Sequence, residues 1–150
     1  MRVSPPSDLE AFVVMPDKEK GSTKYARSVL PDIIPRTDAN HNLRTLASLI
    51  SGIVQRDSGL IVNSLDDRIV EPARAKAGIL HNLLEVKRIA SRYGYGAVAS
   101  GAGPSLVCFG KKSNSEKQRF EAAVRDCFGS SGIGASCWWT APSSSGVSLL

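Results

Sequence analysis

The residues best suited to chemistry lie in four short segments. Ser22-Thr23-Lys24-Tyr25-Ala26-Arg27 sets a hydroxyl four residues before a guanidinium. On a helix that spacing puts Thr23 and Arg27 on one face. Such a pair can clamp a polar ligand bearing a carboxylate. It is equally the pattern of a helix cap followed by a solvated arginine. Asp67-Arg68-Ile69-Val70-Glu71-Pro72-Ala73-Arg74 places an arginine just after a proline break. A rigid break can hold Arg74 toward a site, or Arg74 pairs with Glu71 or Asp67 at the surface. Ser100-Gly101-Ala102-Gly103-Pro104-Ser105 is a turn whose backbone can approach a ligand closely. Its N–H groups can receive an anion, though a plain hairpin connection looks the same. It is not the G-x-x-x-x-G-K-[ST] phosphate loop and opens no long helix. Asp38-Ala39-Asn40-His41-Asn42 has the composition of a helix start.

The elements that must position these residues follow from hydrophobic spacing. Ala11-Phe-Val-Val-Met15 reads as a buried strand. Ser22 or Thr23 caps a helix that Pro31 ends. Asp38 caps a longer helix with Leu43, Leu46, Ala47, Ile50 and Ile53 or Val54 at helical period. Ile61, Leu65 and Ile69 predict a further helix to Val70, broken by Glu71-Pro72. Residues from about Asn82 to Tyr93 form the next helix, stopped by Gly94 and Gly96. Ala97 to Ser100 and Ser105 to Phe109 read as strands on either side of the glycine turn. Ser115 caps a helix carrying Phe120, Ala123, Val124, Cys127 and Phe128, and Gly134 to Thr140 is a last strand. The order is strand, four helices, two strands, helix, strand. That predicts an α+β fold: a small antiparallel sheet of about four strands covered on one face by helices. The split βαβ, ferredoxin-like arrangement is the leading candidate. Residues 1–140 make one domain and 141–150 a flexible tail.

Composition narrows the function classes. The chain has 150 residues, 42% of them apolar and 22% charged, which suits one soluble domain with a real core. The formal charge of +5 is spread from Arg2 to Arg125 with acids between, without a basic stripe or interleaved aromatics. No nucleic-acid partner is expected. No apolar run approaches a membrane span, and Met1 to Pro6 lacks the apolar core of a secretory signal. Cys108, Cys127 and Cys137 form no C-x-x-C pair, and they read as free thiols in a reducing compartment. His41 and His81 are too few and too far apart to suggest a metal site. Trp138-Trp139 in the last strand reads either as core and edge packing or as a docking surface.

Taken in order, the four segments resemble homoserine kinases of the GHMP superfamily. Thr23 to Pro31 matches that family's Thr-Lys-x-Ala-Arg-x-x-Leu-Pro stretch, and Pro35 to Asn42 its Pro-Arg-x-Asp-Ala-x-x-Asn stretch. Asp67 to Arg74 matches Asp-Arg-Ile-x-Glu-Pro-x-Arg, and Ser100 to Ser105 the glycine motif. After Arg74 the family's Leu-Ile-Pro-Gly stretch is replaced by Ala77-Gly78-Ile79-Leu80-His81-Asn82. The family's Pro-x-x-x-Gly-Leu-Gly-Ser-Ser-Ala phosphate loop and its acidic magnesium ligand do not occur in this chain.

The resemblance implies the C-terminal domain of a kinase that passes the ATP γ-phosphate to the hydroxyl of L-homoserine, a step toward threonine. It implies that Arg27 and Arg74 grip the homoserine carboxylate, with Thr23 near the reacting hydroxyl. Ser100, Gly101, Gly103 and Ser105 would form the turn on the phosphate side. No catalytic residue and no metal ligand is expected in this chain. ATP and magnesium belong to the complete enzyme, and neither is expected on this chain alone. The expected partners are homoserine and the missing N-terminal kinase half, and a homodimer is left open. The expected compartment is the cytoplasm, or a plastid if the source is a plant or alga. Two rival readings stand: a non-catalytic α+β binding domain that kept the fold, and a different GHMP small-molecule kinase of mevalonate or shikimate type. An uncovered apolar patch would favour a half-enzyme over an independent module.

Overall fold

β1 (Leu9–Pro16) alternates its apolar residues, so Phe12 and Val14 face one way and Val13 and Met15 the other. In the computed structural model, which describes residues 3–18, 21–143 and 145, that alternation sorts one sheet into two unlike faces. The remaining elements are α1 (Thr23–Ser28), α2 (Arg36–Gln55), α3 (Ser58–Asn63), α4 (Val70–Lys76), α5 (Leu83–Arg92), β2 (Gly96–Ala99), β3 (Leu106–Lys111), α6 (Lys117–Ser130) and β4 (Ala135–Thr140). The strands order β2-β3-β1-β4, with every neighbouring pair antiparallel. This is the split βαβ, ferredoxin-like α+β arrangement that the element order predicts, with α1 to α4 inserted before the first crossover helix.

One face of the sheet carries the core. Trp139, Phe12, Cys108 and Ala97 align across the four strands in one row. α5 brings Leu83, Val86 and Ala90 onto that face, and α6 brings Phe120, Val124 and Phe128 at four-residue spacing. Phe120 is fully buried, stacks on Tyr95 with ring centroids 4.2 Å apart and meets Phe12 edge-on at 5.5 Å. Trp139 packs on Phe12 at 4.7 Å, and its indole N–H donates to Glu121 Oε2 at 2.7 Å. Burial drives the thiol of Cys108 up to about 12, so it behaves as an inert core side chain. All three cysteines are free.

The opposite face aligns Trp138, Val13, Val107 and Val98. α3 covers it near β2. Gly96 permits this approach, since a Cβ there would sit 2.4 Å from the Val62 carbonyl oxygen. Toward β4 the face is open, and Trp138 is 44% exposed. Trp139 therefore packs against the core while Trp138 lies on the open face. Trp139→Ala is expected to destabilise the domain by about 3 kcal/mol. Trp138→Ala should cost about 1 kcal/mol or less. Paired urea denaturation curves check the contrast.

Two local expectations need correcting. Ile61 to Val70 is not one helix ended by Glu71-Pro72. α3 closes at Asn63, and α4 begins at Val70 with Pro72 inside its first turn. Proline lacks an N–H, and the first helical turn has no intrahelical partner for one, so Pro72 is accommodated there. Asp38 is not the cap of α2 either. Pro35 occupies that position and Asp38 sits in the first turn, where its charge suits the helix dipole. Ser22 does cap α1, accepting from the Tyr25 N–H at 3.1 Å. Ser115 does not cap α6. Glu116 stands at that position, and its N–H donates to Asn114 Oδ1. Of the expected tail, residues 144 and 146–150 lie outside the described residues.

Candidate functional site

The four segments singled out for chemistry are wired to one another by named hydrogen bonds. The joining begins with Asp67, in the loop between α3 and α4. Its Oδ1 accepts from the Ile69 and Val70 N–H groups at 2.7 and 3.0 Å, and its Oδ2 from the Glu71 N–H at 3.2 Å. These are the free N–H groups at the start of α4, and a carboxylate satisfies them well. Asn42 of α2 donates its amide to Asp67 Oδ1 at 2.8 Å and accepts from the Arg68 N–H at 3.0 Å. Asn42 thereby fixes the loop to α2. Burial acts to raise the Asp67 carboxyl, but the bonds from Ile69, Asn42, Val70 and Glu71 together outweigh it and hold it below its ordinary value.

A group depressed in this way stabilises the fold above its unfolded pKa, and the contribution is lost as pH falls through the folded value. The stability advantage of the natural chain over Asp67→Asn is therefore expected to be full at neutral pH. It should shrink as pH falls below about 4, the ordinary aspartate range. Chemical denaturation of both chains across an acid series measures this.

α4 so anchored carries Arg74 to the centre of the group. Its Nε donates to the Ala26 carbonyl of α1 at 3.3 Å, and its Nη1 donates to the Gly101 carbonyl at 2.8 Å. One half-buried guanidinium thus ties α1 to the glycine turn. The turn is closed by the Ser100 N–H donating to the Ser105 carbonyl at 2.8 Å. Gly101 and Gly103 have φ of 64° and 95°, a region that disfavours side chains and explains glycine at both. The peptide between Gly103 and Pro104 is cis. Beside the turn lies a cleft of about 660 Å³, walled by Ser100 to Ser105 and by Met15 to Lys18 at the end of β1.

The structure therefore brings Arg74, Gly101 and the α1 backbone into direct contact. Arg74 is not a surface arginine paired with Glu71 or Asp67. Thr23 and Arg27 share α1 at four-residue spacing, with both side chains exposed. Among the described residues neither bonds to the turn, and α1 reaches it through the carbonyl of Ala26, the residue before Arg27. A guanidinium has five N–H donors, so Arg74 keeps three beyond the two bonds made here.

Sequence reasoning did not single out Glu71, Asn42 or Lys87 as individuals. Glu71 is only 4% exposed, accepts from the Ala99 N–H at 2.7 Å and faces Lys87 Nζ at 2.5 Å. A charged residue directly before a helical proline was the available signal, although the reading of Pro72 as a break hid it. Among the described residues no group of three or more His, Cys, Asp or Glu side chains could hold a metal ion. The remaining N–H donors of Arg74 and the glycine turn can hold an anionic or polar ligand.

The chain is thus a ferredoxin-like α+β domain whose glycine turn between β2 and β3 is pinned by an arginine from α4. The family described as GHMP kinases C terminal matches residues 56–130, and the chain belongs to it. More particularly, its relatives carry the name homoserine kinase. The chain is 36% identical over 121 residues to a homoserine kinase of Chlorobaculum tepidum, covering 80% of this chain and 35% of that protein. It is 35% identical over 145 residues to one from Natranaerobius thermophilus, covering 95% of this chain and 45% of the relative. The crystal structure of homoserine kinase from Cytophaga hutchinsonii superposes with a TM-score of 0.81 at 29% identity, covering 93% of this chain and 44% of that one. The chain thus spans less than half the length of these relatives.

Proposed function

We propose that this chain is the acceptor-holding part of a homoserine kinase. The complete enzyme transfers the γ-phosphate of ATP to the hydroxyl of L-homoserine, a step toward threonine. The observation that carries the reading is Arg74, which joins the arginine-bearing helix α1 to the glycine turn. Arg27 and Arg74 grip the substrate carboxylate, because a planar guanidinium matches it with parallel N–H···O bonds. Thr23, one turn before Arg27, lies toward the reacting hydroxyl. The Gly101 amide lies toward the phosphate side, while the Gly103 N–H closes the turn on the Ser100 carbonyl at 3.4 Å. ATP and its magnesium ion would neutralise the phosphoryl charge in the complete enzyme, and by the family resemblance the residues for that would lie outside this chain.

The surface favours a half-enzyme over an independent module. Leu43, Leu46, Ile50 and Val54 form one stripe along α2, each between 51% and 64% exposed. Their spacing is that of a helix face built to be buried, yet only Gly52 of α2 is buried. Met15 and Trp138 are also exposed, on the open face of the sheet. The remaining part of a full-length enzyme would cover these residues. No helix among the described residues is long and apolar enough to cross a membrane.

A phosphotransfer assay with MgATP and L-homoserine tests the reading. The chain alone is expected to give no homoserine phosphate above background. Fused to the preceding part of the Chlorobaculum tepidum relative it should gain turnover, which Arg27→Ala and Arg74→Ala each reduce at least tenfold. Turnover by the chain alone, or a fusion indifferent to both substitutions, would overturn it.

A further inference from the structure

We infer that Glu71 is a positioning residue of this site: held by Lys87, its carboxylate fixes the entry of the glycine turn against the helix that carries Arg74. Only the identity of the ligand rests on the reading above.

The geometry begins with β2, an edge strand whose outward N–H groups have no strand partner. Ala99 ends β2 and directly precedes Ser100. Its N–H donates to Glu71 Oε1 at 2.7 Å. Three residues along α4, on the same helical face, Arg74 donates to the Gly101 carbonyl at 2.8 Å. α4 therefore holds the turn at two points, one on each side of Ser100. A shift of either contact would move Gly101 relative to the guanidinium.

Glu71 is in turn held from the other side. Its Oε2 faces Lys87 Nζ at 2.5 Å as an ion pair without the direction of a hydrogen bond. Lys87 also reaches Asp66 Oδ1 at 3.4 Å, and Asp66 Oδ2 lies 2.8 Å from His41 Nε2 of α2. Lys87 of α5 thus fixes the carboxylate, and Asp66 of the α3–α4 loop in turn fixes Lys87.

Stability alone does not account for this pair. Two charges taken from water do no better, as a rule, than apolar side chains of similar volume. A carboxylate does something that an apolar side chain cannot. It accepts a short, charge-assisted bond from one particular backbone N–H and so sets a distance. The N–H it selects is the one at the mouth of the turn.

Nitrogen-15 spectra and amide exchange of the whole chain test the inference. In Glu71→Gln and Lys87→Met the Gly101 and Gly103 resonances are expected to shift, and the Ala99 amide to exchange at least tenfold faster. Amides of Phe12, Val86 and Phe120 should keep their protection. Lys87→Arg should restore the natural spectrum, a rescue that general loss of stability would not give. If a single variant fails to fold, Glu71→Gln combined with Lys87→Met leaves no uncompensated buried charge and is read in the same way. Unchanged Ala99 and glycine-turn signals in folded variants would overturn the inference. Homoserine titrated into the same samples separates the two ideas. A natural chain that ignores homoserine while the variants loosen the turn refutes the ligand assignment only. Equal homoserine affinity in the natural chain and the Glu71 variants refutes the positioning role only.

Discussion

Phe120→Ala is expected to lower the unfolding free energy of this domain by about 3–5 kcal/mol. Phe120 has no exposed surface and touches Phe12, Tyr93, Tyr95 and Trp139 through its ring. Those partners come from β1, the loop between α5 and β2, and β4. No smaller side chain on α6 can reach all of them, and a rigid sheet behind the cavity limits collapse. Total stabilities of about 5–15 kcal/mol are usual, so the variant should populate unfolded chain at room temperature or in mild urea. Phe120→Leu should cost much less, because it keeps most of the volume. Urea denaturation followed by tryptophan fluorescence measures both, with Trp139 as the reporter inside the cluster. A loss below about 1 kcal/mol for the alanine variant would mean that α6 is not seated as described.

Arg74→Ala carries the second large effect, and it acts on two quantities at once. The substitution removes a donor from the Ala26 and Gly101 carbonyls together. Hydrogen bonds to charged groups contribute about 1.5–3 kcal/mol each when buried, and less where solvent reaches them. Arg74 is half-buried, so a loss of about 1–2 kcal/mol of stability is the expected range. Homoserine affinity should fall further, by about tenfold to a hundredfold, or about 1.4–2.8 kcal/mol. On the proposed function both a carboxylate partner and the placement of the turn would be lost. Arg74→Lys should not restore either, since an ammonium cannot bridge two carbonyls and a planar carboxylate with one fork. Calorimetry and denaturation on the same samples separate the two losses. Equal affinity in the natural chain and both variants would reduce Arg74 to a structural staple between α1 and the turn.

Much of the fold was legible because it rests on short-range pattern. β1, β3 and β4 are apolar runs between charged or glycine-rich loops, and α6 repeats its core residues every four positions. The inserted helices were harder, since their boundaries depend on contacts between distant segments. The loop from Ser64 to Ile69 is non-helical because Asp67 turns back to cap α4 and Asn42, 25 residues earlier, holds it. No local spacing announces that bond. The α2 stripe shows the opposite failure. Leu43, Leu46, Ile50 and Val54 are spaced as a buried face, and periodicity cannot say whether the covering surface lies in the same chain.

The candidate site divides in the same way. Arg27, Arg74 and the glycine turn stand out by residue type. That Arg74 would bind the turn itself follows only from α4 starting at Val70, one residue before Glu71. Glu71 was hidden because a glutamate beside a proline reads as a surface break. Its burial depends on Lys87 from another helix and on the free N–H of an edge strand.

The most direct measurement is a titration of L-homoserine into the nitrogen-15-labelled chain, following the Gly101 and Gly103 amides and the side-chain Nε of Arg27 and Arg74. Saturable shifts of all four, with one shared dissociation constant that rises at least tenfold in Arg27→Ala and in Arg74→Ala, are the predicted result. Resonances that stay fixed at saturating homoserine, or that move equally in both variants, would contradict the assignment of this chain as the acceptor-holding part of the enzyme.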